Sequence, residues 1–72
     1  MEQELIYSFP PTSAVLLTEY QYDAWKFNQG TTVEIIVKNQ DISWVRTEMK
    51  DQPSFSHITV YFSIKNDLIR TL

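Results

Sequence analysis

The chain has 72 residues, 43% of them hydrophobic and 14% aromatic, with no cysteine and a net charge of −3. That length gives one domain, near the lower limit for a fold without staples, and the composition argues against disorder. The missing cysteine excludes a disulfide framework and a thiolate metal site, and six basic residues spread along an acidic chain speak against a nucleic-acid backbone as partner.

The start, Met1-Glu2-Gln3-Glu4, is acidic where a secretory signal needs positive charge. The longest apolar runs, Ala14–Leu17 and Ile35–Val37, are core-sized and far short of a membrane span. The expectation is a single packed domain, 1–72, in the cytoplasm and away from membranes. Glu4–Phe9 is a short apolar segment stopped by Pro10-Pro11, which hold the backbone extended and block a helix. Ser13–Leu17 reads as a second extended piece. Whether one or both join the sheet stays open at this point, and the prolines favour an edge.

Leu17–Gly30 (LLTEYQYDAWKFNQG from Leu16) carries the signals of a helix from start to stop. Thr18 and Gln21 have capping-box spacing, Leu17 and Tyr22 are placed for a hydrophobic staple, and Gly30 is the only glycine. The spacing predicts a helix over Glu19–Gln29. At about 100° per residue, Tyr22 and Trp25 share one side, and Tyr20, Ala24 and Phe27 share nearly the opposite side. The Tyr22–Trp25 stripe, aligned with Leu17, is expected to face the core. Tyr20, Ala24 and Phe27 are then left as candidate partner-binding residues, on a helix face that meets a protein partner or a second copy.

Thr31–Lys38 (TTVEIIVK) has the β-branched density of a strand, with Val33, Ile35 and Val37 on one face. Asn39-Gln40-Asp41 supplies a turn and Ile42–Glu48 a return strand. Met49–Pro53 is a polar break. Ser54–Lys65 alternates most clearly: Ile58, Val60, Phe62 and Ile64 on one face, His57, Thr59, Tyr61 and Ser63 on the other. Asn66–Leu72 is a tail that can pack back. The fold class expected is α+β: a small antiparallel sheet of three to five strands with one α-helix packed on a face.

Catalytic residues are not indicated. His57 lies near Ser54, Ser56 and Asp51, but neither a nucleophile elbow nor a glycine-rich turn accompanies it, so it reads as a surface histidine. Glu19 and Asp23 belong to the first turns of the expected helix, where its dipole favours them. No metal-ligand spacing occurs, and one glycine excludes phosphate-cradling loops; no cofactor is expected. Trp44, Phe55 and Tyr61, with Arg46, offer rings for base stacking without a positive groove.

Leu16-Leu17-Thr18-Glu19-Tyr20-Gln21-Tyr22, followed by the hairpin at Val33–Val45, resembles a recurring design in small accessory proteins of phages and prophages of Gram-positive bacteria. The resemblance covers about half of the chain and implies an accessory protein that works by binding, with no activity and no site residues to carry over. The function expected is therefore a non-enzymatic protein-binding or self-associating module. The alternative is a nucleic-acid-binding accessory domain that uses the outward rings of the sheet.

Overall fold

The computed structural model describes residues 4–51 and 56–72. The expected helix is absent among them. In chain order the strands are β1 (Ile6–Leu16), β2 (Tyr20–Tyr22), β3 (Trp25–Phe27), β4 (Thr32–Lys38), β5 (Ile42–Asp51), β6 (Ser56–Lys65) and β7 (Ile69–Thr71), with a 3-10 turn at Asn66–Leu68. The α+β expectation is thus corrected to a β fold. A five-stranded antiparallel sheet runs β6-β5-β4-β1-β7, and β2 and β3 form a separate hairpin.

The stretch Leu17–Gly30 turns back at Asp23-Ala24 instead of winding into a helix. Tyr20 pairs with Phe27, Gln21 with Lys26 and Tyr22 with Trp25. Asp23 takes a φ of 55° in the two-residue turn, a left-handed conformation that aspartate tolerates better than most residues. Four of the eight residues Tyr20–Phe27 are aromatic and favour an extended backbone. A helix of eleven residues, Glu19–Gln29, would also have been marginal without a packed face. Period two puts Tyr20 with Tyr22 and Trp25 with Phe27, and the Tyr20–Phe27 and Tyr22–Trp25 pairings set all four on one face, so the two stripes of the helical reading merge into one. Burial of that face decides the conformation.

Gly30 is left-handed, as the capping argument required, but it closes the turn into β4 and not a helix. Its φ is +88°, and its amide donates to the Leu16 carbonyl at 2.9 Å. A Cβ there would meet nothing within 4 Å, so Gly30→Ala is strained by backbone conformation alone. The expected cost is about 1 kcal/mol, or a melting temperature lower by about 4–8 °C in a thermal denaturation.

The sheet is rolled. In a flat sheet β6 and β7 would stand four strand spacings apart, about 19 Å. Only Asn66–Leu68 separates them, and four residues of chain reach about 14 Å at most. Rolling brings both edges over one core: Ala14 and Leu16 of β1, Phe27 of β3, Val33 and Ile35 of β4, Val45 of β5, and Val60, Phe62 and Ile64 of β6. Phe62 is central, with the rings of Phe27, Tyr20 and Tyr22 at 4.6, 5.7 and 5.9 Å between centroids. The hairpin therefore covers the core, the place expected of the helix.

The alternation over Ile58–Ile64 holds, with Val60, Phe62 and Ile64 buried. Val37 departs from the face it was expected to share with Val33 and Ile35. The register shifts between Ile35 and Val37, so one extra residue of β4 re-aims the rest of the strand. The two extended N-terminal pieces form one strand, β1, and the prolines sit where its pairing to β4 shifts between Tyr7 and Thr12. Of the polar break expected at Met49–Pro53, the part up to Asp51 is strand, because β5 runs on to Asp51, and residues 52 and 53 lie outside the described residues.

One polar knot ties the corners of the roll. Asn39 accepts at Oδ1 from the amides of Asp41 and Ile42, both at 2.8 Å, which sets the β4–β5 turn. Asn66, from the 3-10 turn, donates through Nδ2 to the Asn39 carbonyl at 2.9 Å, and its amide donates to the Asp41 carbonyl at 2.9 Å. Its Oδ1 accepts from the hydroxyl of buried Ser43. The other buried hydroxyl, Thr47, donates to the Thr32 carbonyl at 3.0 Å.

Candidate functional site

The outer side of the sheet follows from period two. With Ser43, Val45 and Thr47 buried, Trp44, Arg46 and Glu48 point away from the core, and Tyr61 does so on β6. Pairing aligns Glu34 of β4, Arg46 of β5 and Tyr61 of β6 in one row across three strands. Arg46 Nε donates to Glu34 Oε1 at 2.9 Å. The Glu34 carboxylate and the Tyr61 hydroxyl hold the guanidinium protonated and raise its already high pKa. This row orients the Tyr61 ring, and the ion pair itself contributes little to stability at so exposed a place.

Beside it lies an apolar groove of about 350 Å³. Tyr22 of the hairpin forms one wall, and Ile36–Val37, Trp44–Val45 and Tyr61–Ser63 from three consecutive strands form the rest. The β4 shift matters here, because it brings both Ile36 and Val37 to the groove. Three aromatic side chains remain partly open to water: Tyr22 at 39%, Trp44 at 38% and Tyr61 at 61%. Each has its backbone in a strand, so the rings are held on rigid elements.

The residues singled out on the helix face are distributed otherwise. Phe27, 2% exposed, is core. Tyr20 is half-buried on Phe62, and its hydroxyl donates to the Ser63 carbonyl at 2.8 Å. Burial, with Tyr22 close by, pushes the Tyr20 hydroxyl above the ordinary tyrosine value, so it stays a donor. Ala24 is exposed at the hairpin turn. No helix face exists to unite the three. Tyr22, assigned inward, lines the groove; Trp25 packs half-buried against the core.

Of the rings considered for base stacking, Trp44 and Tyr61 share the groove, and Phe55 lies outside the described residues. Ser54 also lies outside them, as do the side chains of Asp51, Ser56 and His57. Among the described residues no group of three His, Asp or Glu side chains is placed to hold a metal ion. No helix there is long and apolar enough to cross a membrane. Ile36 and Val37 were missed as site residues because a shift in pairing register leaves no mark in a run of β-branched residues. Comparison with family models, with characterised proteins and with solved structures finds no match to this chain.

Proposed function

We propose that the chain is a non-enzymatic protein-binding module that takes an apolar segment of a partner protein into the groove of Tyr22, Trp44 and Tyr61. The observation that carries this reading is the convergence of three partly exposed rings, from three separate strands, on one apolar groove. Aromatic side chains dominate binding energy at interfaces, because they bury much area with few rotatable bonds. The volume suits one or two anchoring side chains of a partner. Arg46, the cation nearest the rings in the row, is paired to Glu34, which favours a protein ligand over a nucleic-acid backbone. The resemblance to phage accessory proteins points the same way, and the proposed setting is the cytoplasm.

Selection of binding peptides from a random displayed library tests the reading. Peptides with apolar or aromatic anchors are expected to bind the protein, and Trp44→Ser combined with Tyr61→Ser to weaken them by about thirtyfold. Circular dichroism of the double variant should match the parent, since both positions lie on the open side of the sheet. Equal binding by parent and variant would discard the groove. Retention of single-stranded oligonucleotides with a steep salt dependence would favour the nucleic-acid alternative.

A further inference from the structure

The groove does not end at Tyr61. A second cleft, of about 180 Å³, is lined by Glu34, Arg46, Thr47, Glu48, Thr59 and Tyr61. On each of three strands it takes up where the groove stops: Glu34 beyond Ile36 on β4, Arg46–Glu48 beyond Val45 on β5, and Thr59 beyond Tyr61 on β6. Tyr61 lines both. The two hollows therefore form one trough along the strands, apolar at the Trp44 end and charged at the Glu48 end.

We propose, building on the groove reading above, that the partner's segment is proline-rich and lies in this trough as a polyproline II helix. A proline rests on Trp44, and a basic residue four positions away reaches Glu48. Hydrogen bonding selects the backbone. The trough follows β5, which lies inside the sheet with a strand on either side, so a ligand there cannot join as a further strand. The rings offer donors. The Trp44 indole N–H can only donate, and neither it nor the Tyr22 hydroxyl is engaged among the described residues. The Tyr61 hydroxyl accepts from the Arg46 guanidinium, which leaves its O–H free to donate. A helix laid on these rings would cover the donors with a backbone whose carbonyls are already bonded, and a buried donor left unpaired is costly. A polyproline II segment has no internal hydrogen bonds, so its carbonyls are free to accept, and its prolines have no N–H to satisfy.

Charge selects the basic residue and its spacing. Arg46 is paired to Glu34, so the charge left over in the trough is the carboxylate of Glu48, which has no ion pair among the described residues. A cation on the ligand complements it, and an anion is repelled. Trp44 and Glu48 stand four residues apart on β5, about 13 Å at the rise of a strand. Four residues of polyproline II cover about 12 Å, and a long basic side chain spans the remainder. The segment is also preformed in this conformation, so rigid rings on strands meet a ligand that loses little entropy on docking.

Titration calorimetry with blocked synthetic peptides tests the proposal. Ala-Pro-Pro-Ala-Pro-Arg-Ala carries its arginine four positions from the first proline. It should bind about tenfold tighter than the same peptide with leucine at every proline, and about tenfold tighter than the peptide with glutamate in place of arginine. Glu48→Lys should invert the second preference, so that the glutamate peptide binds the tighter of the two. Trp44→Phe keeps a ring without the N–H and should weaken the proline peptide by about fivefold. Circular dichroism of both variants should match the parent. A leucine peptide that binds as tightly as the proline peptide overturns the proposal. So does the failure of both to bind at millimolar concentration, or an arginine preference unchanged in Glu48→Lys. The groove reading fails separately: it falls if Trp44→Ser with Tyr61→Ser leaves peptide binding unchanged. A leucine peptide that binds the parent as tightly as the proline peptide and is lost in that double variant keeps the groove and overturns only the proline-rich ligand.

Discussion

Phe62→Ala is expected to leave a chain that is mostly unfolded at 25 °C. Phe62 is 3% exposed and has three rings against it, those of Phe27, Tyr20 and Tyr22. Truncating a buried phenylalanine costs about 3–5 kcal/mol, and three ring contacts place this one at the upper end of that range. A 72-residue domain has about 4–11 kcal/mol in all, so little remains. The loss also detaches the hairpin, because Phe62 is the side chain on which three of its four aromatic residues stack. Urea denaturation followed by circular dichroism checks the result. Phe62→Leu should retain a cooperative transition at a lower midpoint. Tyr61→Ser, one residue away on the open face, should stay within about 1 kcal/mol of the parent. Equal damage at positions 61 and 62 would contradict the one-sided burial of β6.

Asn66→Ala is expected to cost about 2–3 kcal/mol, although Asn66 is a polar residue in a short turn. The substitution leaves the buried Ser43 hydroxyl without its acceptor and the Asn39 carbonyl without its donor. An unsatisfied buried hydroxyl costs about 1–3 kcal/mol, while removing both partners of a bond is much cheaper. Ser43→Ala with Asn66→Ala should therefore cost less than the two single changes added together, by about 1 kcal/mol. Chemical denaturation of the four proteins of that cycle gives the coupling. Additive losses would mean that the Ser43–Asn66 bond contributes nothing to the corner.

The helix expected over Glu19–Gln29 shows why local signals misled. Thr18, Gln21 and Gly30 satisfy the spacing of a cap and a stop, and a left-handed glycine ends the segment as anticipated. Yet a glycine of positive φ closes turns as readily as helices. The discriminating signal was the second period: Tyr20-x-Tyr22 and Trp25-x-Phe27 alternate about Asp23-Ala24, and Asp23 is a residue that can take the positive φ of a hairpin turn. Four aromatics on one extended face bury more together than two opposed helical stripes do. The same change of period moved Phe27 from an expected partner surface into the core and Tyr22 from the core to the groove. In Ser56–Lys65 the local and the global preferences agree, and the buried side of that strand was legible residue by residue.

The sequence by itself determined where β4, β5 and β6 lie, that residues 39–41 turn, and which side of β6 is buried. Those features depend on period-two alternation and on turn chemistry, which act over a few neighbouring residues. Only the tertiary structure decided that Leu17–Gly30 is a hairpin, that the sheet rolls until β6 and β7 meet through a three-residue turn, and that β4 slips by one residue after Ile35. The first two are set by contacts between residues far apart in the chain: Phe27 on Phe62, Tyr20 on Ser63, Asn66 on Ser43. The groove and the cleft that continues it belong to this second class. Both are places where strands separated in sequence come together, and no local pattern of residues records that.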